Sequence, residues 1–274
     1  MLAAGDETRI IAGGQTLVPL MAMRLARPKR LIDIARLSDL AFVRHERDAI
    51  AIGATTRQCL LERDALVRAD VPLLAKVMPF VGHAAIRARG TIGGSLANAD
   101  PAAEIPLVAV TLGATMLYRE DAANVEIAAA DFFLGPMMTT LPAAGCLTAV
   151  GFPLWGGARI GVGFHEIGAR PGDFAFAAAA AQIALNADGV CQRLALGIGA
   201  VAARPLRPDT VAKALEGTRV EARVVQEAVR AALADIDLFS DLHASAEYRR
   251  RAAECLAVRA ITDAHQSAEA ARAS

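Results

Sequence analysis

The sequence has no net charge to offer a partner, since Lys and Arg together number 29 and Asp and Glu also number 29. The absence of a global basic field argues against nucleic acid as the main partner, and little net repulsion opposes self-association. Cysteine is sparse. Cys59, Cys146, Cys191 and Cys255 lie far apart and form no C-x-x-C pair, so neither a disulfide framework nor a metal site by local spacing is implied. Any iron–sulfur cluster would have to belong to another chain. No apolar run reaches the roughly 18 residues of a membrane span. The alanine run at 177–181 is short and bracketed by polar residues. The N-terminus shows no basic region followed by an apolar core, so a secretory signal is not expected and a cytoplasmic location is.

What is present is a large apolar fraction, 54% of 274 residues. That suffices for one large or two modest domains with a buried core, although much of the fraction is alanine. Short strands are expected at residues 9–12, 31–34 and 49–53. Thr56 is placed to cap a helix carrying Cys59, Leu60 and Leu61, and the spacing from Pro72 to Val81 suits a buried helix. Strands are expected again at 114–118 and 147–150. Glycines around Trp155 mark a domain boundary, dividing the chain into residues 1–156 and 157–274. Beyond it the pattern predicts a strand at 159–166, an alanine-rich helix at 173–185 and a strand at 191–200. Helices are expected at 211–215, 221–233 and 244–265.

Two glycine pairs carry the chemistry. Ala12-Gly13-Gly14-Gln15-Thr16-Leu17 is a strand end, two glycines, a hydroxyl and an apolar stretch. Glycine admits left-handed backbone angles and lets a ligand approach the amides, which can form an anion-binding concavity. Thr91-Ile92-Gly93-Gly94-Ser95 repeats the pattern with hydroxyls on both sides. One such pair is common in ordinary turns, but two match a diphosphate, which presents two anionic groups. Neither is a Rossmann G-x-G-x-x-G or a Walker loop.

The run from Ala12 through Met21, then Arg24 to Pro28 and Leu31 to Ile34, resembles the first flavin loop of the medium subunits of aerobic carbon monoxide dehydrogenase-like enzymes. These belong to the xanthine dehydrogenase family of molybdenum hydroxylases. Thr91 to Pro106 resembles the second flavin loop. Arg170, Asp173-Phe174-Ala175 and Asp241-Leu242-His243-Ala244-Ser245-Ala246-Glu247-Tyr248-Arg249 resemble the C-terminal domain.

The resemblance implies an α+β fold: a two-subdomain FAD-binding domain of the PCMH type, then a smaller domain with a three-stranded antiparallel sheet and helices. It implies noncovalent FAD, with Ala12, Gly13, Gly14, Gln15, Thr16 and Leu17 lining one side of the pyrophosphate and Thr91, Gly93, Gly94 and Ser95 the other. It places Glu104 on the adenosine ribose, Leu147 near the flavin, and His165 where many relatives carry lysine. No residue is assigned a catalytic acid or base role, because the flavin does the redox chemistry. The implied partners are a molybdenum-binding large subunit and a small subunit with [2Fe-2S] clusters, as a dimer of heterotrimers. Relatives carry a further strand and helix ahead of the segment matching Leu2 to Asp6, and a more polar stretch where Ala143-Ala144-Gly145-Cys146 stands. A flavin-free scaffold that keeps the fold is the alternative. A free-standing flavoprotein oxidase would need a covalent flavin or a substrate base, for which the sequence gives no sign.

Plainer readings stand beside these. His83 and Arg87 would satisfy a loop or cap a helix. Asp33 would end a strand, paired to backbone. Asp100 and Glu104 would lie in a loop, solvated if no cofactor is bound. Arg170 and Asp173 would pair at a helix start, Tyr248 and Arg249 to Arg251 would form a solvated helix face, and Trp155 would anchor two domains.

Overall fold

The computed structural model describes residues 8–156 and 159–271; the expected departure around Leu2 to Asp6 lies outside them. In chain order the strands are β1 (Thr8–Ile11), β2 (Arg30–Asp33), β3 (Val43–Glu46), β4 (Ala49–Gly53), β5 (Thr115–Glu120), β6 (Ala123–Ala128), β7 (Phe133–Gly135), β8 (Met138–Thr139), β9 (Gly145–Pro153), β10 (Arg159–Gly168), β11 (Ala175–Leu185) and β12 (Cys191–Gly199). The helices are α1 (Leu17–Ala22), α2 (Gln58–Leu61), α3 (Ala65–Asp70), α4 (Pro72–Val77), α5 (Ala84–Arg87), α6 (Ile92–Asn98), α7 (Glu104–Leu112), α8 (Ala129–Phe132), α9 (Asp209–Leu215), α10 (Ala222–Ala234) and α11 (Ala246–Ala270).

Among the described residues the strands form four sheets. β1 and β2 form a small parallel pair, β3-β4-β9-β5-β6 an antiparallel sheet, and β10-β11-β12 a second antiparallel sheet; β7 and β8 make a short ribbon. The fold is thus the expected α+β arrangement with a three-stranded antiparallel sheet in its second part. Ile50, Ile52, Val150 and Phe152 turn one face of the larger sheet into a core shared with α4, α6 and α7. Every residue of α7 is buried, which explains why it reads as apolar all round rather than amphipathic. It lies between the two sheets, touching β9 on one side and β11 and β12 on the other. α11 closes the far side against β10 and β11. No helix among the described residues is long and apolar enough to cross a membrane.

Several expectations need correction. Residues 173–185 were expected as a helix, and 175–185 form the central strand β11. Alanine favours a helix when nothing else decides, but here tertiary packing does. Ala177, Ala179 and Ala181 join the core beneath α11, whereas Ala178, Ala180 and Ala184 join the core around α7. A strand covered on both faces by closely approaching helices needs small side chains on both. The same closeness explains Gly161 and Gly163 on β10: a Cβ at either would overlap backbone of α11, at Ala264 and Ala260.

Other differences are local. The helix at 72–81 ends as α4 at Val77 and continues as a tight turn at residues 78–80, where Pro79 cannot donate. Thr56 does not cap α2; its hydroxyl exchanges hydrogen bonds with the Phe42 amide and carbonyl, each at 3.1 Å. Arg170 and Asp173 lie in the β10–β11 turn, not at a helix start, and form no ion pair among the described residues. Arg249 is buried rather than solvated. Asp33 ends β2 as read, with its carboxylate accepting the Ala35 amide at 2.8 Å. Trp155 is buried, and the Arg193 guanidinium of β12 lies 4.0 Å from its ring centroid.

Gly163→Ala is therefore expected to lower stability by about 2 kcal/mol through overpacking against Ala260. Urea unfolding of the full chain measures it, and an unchanged midpoint would show that α11 can shift freely.

Candidate functional site

The first glycine loop leaves β1 at Ile11 and enters α1 at Leu17. Gly14 has φ +70, a conformation that any side chain would strain. The amides of residues 13–17 donate to no acceptor among the described residues, whereas Val18 already donates to the Gly14 carbonyl at 3.1 Å. Gln15 folds back, its side-chain amide donating to the Gly13 carbonyl at 3.0 Å. The Thr16 hydroxyl caps nothing. The result is a short stretch of unused N–H donors that opens with two residues lacking side chains, a form suited to anionic oxygens.

The second loop is built differently. Gly93 donates to the Ala54 carbonyl at 2.9 Å, Ile92 to Thr56 at 3.1 Å, and Ser95 to Thr91 at 3.2 Å. The Thr91 hydroxyl accepts the Gly94 amide at 3.0 Å and caps α6. These amides are spent inside the protein. Gly93 is required for another reason: a Cβ there would stand 2.7 Å from the Ala54 carbonyl oxygen. Gly94 is exposed, and the Ser95 hydroxyl has no partner among the described residues. Leu147 belongs to the same corner, buried on β9 next to Thr148, whose carbonyl accepts the Ala54 amide at 2.8 Å.

The two loops touch. A Cβ on Gly13 would overlap the Arg89 carbonyl oxygen and come within 2.9 Å of the Gly90 Cα. The strand-like stretch before α2 straps this junction from behind. Arg57 donates to the Arg89 carbonyl, and the Gln58 amide donates to the Gly90 carbonyl at 3.0 Å. Arg87 braces the preceding turn through the carbonyls of Pro79, Val81 and Gly82 at 3.0–3.3 Å, and pairs with Glu62 at 3.2 Å. His83 packs against Gly172, whose φ of +82 and lack of Cβ leave room for the ring. These two residues thus shape the site rather than react in it.

Downstream of the second loop runs an acidic arm. Asp100 lies in a turn and accepts the Ala102 amide at 2.9 Å. Glu104 is not in a loop: it opens α7 and is only 9% exposed. Burial, its largest influence, pushes its carboxyl up to about 8, with Glu166 and Asp100 adding like-charge repulsion. Burial also raises Asp100, and lifts Glu166 to about 7. Glu166 Oε2 is buried with no hydrogen-bond partner among the described residues.

His165 faces the other way. Along β10, Gly161, Gly163 and His165 point to α11, where His165 Nε2 meets Asp263 Oδ2 at 2.9 Å. Phe164 and Glu166 point toward the first domain, Phe164 packing edge-on against Phe80. The structure therefore joins the first loop at Gly13 to the residues just ahead of the second, links Gly93 through Ala54 to the β9 stretch that carries Leu147, sets Glu104 near Glu166, and leaves His165 on the opposite face of the sheet. Strand alternation is the signal that could have separated His165 from Glu166.

Residues 1–155 match the family described as the FAD binding domain in molybdopterin dehydrogenase, and residues 163–264 match the CO dehydrogenase flavoprotein C-terminal domain. The chain belongs to this family. It is 32% identical to subunit alpha of the 6-hydroxypseudooxynicotine dehydrogenase complex of Paenarthrobacter nicotinovorans, over 95% of this chain and 88% of that one. It is also 32% identical to the carbon monoxide dehydrogenase medium chain of Afipia carboxidovorans, over 97% and 91%. The structure of quinoline 2-oxidoreductase from Pseudomonas putida 86 superposes with a TM-score of 0.91 at 35% identity, covering 97% of this chain and 92% of that one.

This FAD-binding subunit of an oxidoreductase fits its cofactor on local chemistry. The unused amides at 13–17 can bind anionic oxygens of a diphosphate, and the side-chain-free junction of the two loops allows close approach. The acidic arm carries carboxyl oxygens, which can accept hydrogen bonds from hydroxyls.

The raised carboxyls set a pH dependence in the cofactor-free protein. Glu104 binds its proton more tightly when folded, near 8, than at its ordinary 4.5. Its contribution to stability is thus whole below about pH 4.5 and is lost as pH rises through about 8; Glu166 acts with the same sign near 7. Glu104→Gln should keep more of its stability between about pH 6 and 9. Parallel losses in variant and wild type, followed by urea midpoints across pH, would disprove the assignment.

Proposed function

We propose that the chain is the electron-transferring flavin subunit of a molybdenum hydroxylase complex, and that its two touching glycine loops hold the FAD diphosphate. The observation that carries this is the contact of Gly13 with Arg89 and Gly90, which sets a row of unused amides beside the second loop. Ala12, Gly13, Gly14, Gln15, Thr16 and Leu17 would form the donor side. Thr91, Gly93, Gly94 and Ser95 would form the other side, with Gly94 and Ser95 presenting the exposed surface and Thr91 and Gly93 shaping it. Glu104, and Glu166 in the place given to His165, would face hydroxyl groups, and Leu147 would pack behind the ring system. The boundary at residues 156 and 157 would separate the cofactor domain from the one contributing Glu166.

Bound FAD would supply the redox chemistry, receiving electrons from iron–sulfur clusters on a small partner subunit and passing them to an external acceptor. The chain's own residues bind and orient it. The hydroxylation centre would lie on a large molybdenum-binding subunit. Relatives named as a medium chain and as subunit alpha of a complex support such an assembly, proposed as two heterotrimers.

The complex purified through a tag on this chain should show a flavin absorption band and contain molybdenum and iron. Gly14→Val places a branched side chain at φ +70, and Gly94→Val brings a Cβ within 2.8 Å of Thr91 Oγ1. Each should reduce FAD retention by about tenfold or more while leaving most of the fold, as read by circular dichroism. Wild-type FAD affinity in both variants would refute the loop assignment, and a flavin-free wild-type complex would favour the scaffold reading.

A further inference from the structure

We propose that Arg249 is a positioning residue for the acidic arm of the cofactor site, acting through Ala200 and Pro101. The inference rests on the reading of residues 100–104 as part of that site.

Arg249 sits in the first turns of α11 and is 2% exposed. Nη1 donates to the Phe176 carbonyl at 2.7 Å and the Ala200 carbonyl at 2.6 Å, and Nη2 donates to Asp241 Oδ2 at 2.6 Å. Its guanidinium carbon lies 4.3 Å from the centroid of the Phe239 ring. Asp241 is itself fixed, accepting the His243 and Ala244 amides at 2.9 Å each. A buried guanidinium whose partners are lost is strongly destabilising, so this cluster holds its geometry firmly.

One of those partners is unusual. Ala200 has φ +64, a left-handed conformation that alanine adopts only when its surroundings hold it there. It is held at both ends: its carbonyl accepts Arg249, and its amide donates to the Pro101 carbonyl at 2.9 Å. Pro101 follows Asp100 and precedes Glu104 by three residues. Just upstream, a Cβ on Gly199 would stand 3.0 Å from Leu107, and one on Gly197 would overlap Thr111, both residues of α7. The end of β12 is therefore the bed on which the arm and α7 lie. Arg249 fixes where that bed ends, and with it where the Asp100 and Glu104 carboxyls stand. Lysine cannot replace it, because a point charge at Asp241 does not also span two carbonyls.

The test is a double-mutant cycle read by FAD titration of the full chain. Arg249→Lys should raise the Kd for FAD about tenfold in the wild-type background and change it little in the Glu104→Gln background. An equal factor in both backgrounds would overturn the proposal, since general loosening of the fold acts independently of Glu104. If Glu104→Gln alone binds FAD as wild type does, the reading of the acidic arm falls and the positioning role falls with it. If Glu104→Gln weakens binding and Arg249→Lys does not, only the positioning role falls. Should Arg249→Lys fail to fold, Asp241→Asn keeps the Oδ1 acceptor for the His243 and Ala244 amides but removes the carboxylate oxygen that holds Arg249 Nη2. It should give the same background dependence at smaller amplitude, and its absence would overturn the proposal equally.

Discussion

Backbone packed directly on backbone, with no side chain between, is the constraint on which the site depends. It occurs where Gly13 meets Arg89 and Gly90, and again where Gly93 meets Ala54. The first contact joins the small parallel pair of β1 and β2 to the rest of the molecule at the point where a ligand can be held. The second seats α6 against the turn that follows β4. A methyl group at Gly13 or Gly93 would force these contacts apart, because the opposing atoms are main chain at Gly13 and the Cβ and main chain of Ala54 at Gly93, none of which can rotate away. Arg57 and Gln58, hydrogen-bonded to the Arg89 and Gly90 carbonyls, keep the junction from opening from behind.

The two loops look alike in sequence and do different work. In the first, residues 13–17 keep their N–H groups unspent; in the second, the amides of residues 92–95 are satisfied within the protein. Donors for an anion are thus concentrated on one side, and the opposite wall is a rigid, capped turn. A rigid wall costs no ordering entropy when a ligand arrives, whereas open amides gain hydrogen bonds. Their proximity combines both properties in one place.

Much of the fold was legible because strands with one covered face alternate, as β9 does through most of its length, and because Ile50 and Ile52 mark the core face of β4. β11 did not, because its alanines are buried on both faces and alanine carries helical preference with no period of its own. The glycine loops were legible as motifs, yet their division into open and spent amides was not, since it depends on partners such as Ala54 and Thr56 distant in sequence. Glu104 was legible only through resemblance, because its burial comes from the packing of α7 between the two sheets. Arg249 read as one of three surface arginines; Arg251 does pair with exposed Glu247, but two residues along the helix, about 200° of turn, put Arg249 in the core.

The acidic arm presents an electrostatic puzzle that its burial resolves. Asp100, Glu104 and Glu166 converge in a site expected to hold an anionic cofactor, and three ionised carboxylates there would repel both one another and the diphosphate. Burial raises all three, placing Glu104 near 8 and Glu166 near 7. At neutral pH Glu104, and Glu166 in part, therefore keep protons that exposed carboxylates would have released. A protonated carboxyl can donate a hydrogen bond as well as accept one, so it can meet a hydroxyl in either sense. Placing Glu104 on the first turn of a fully buried helix, near a partly covered Glu166, is what withdraws its carboxyl from water. The precision of α7 on its bed of small residues is thus also a condition for the charge state of the site.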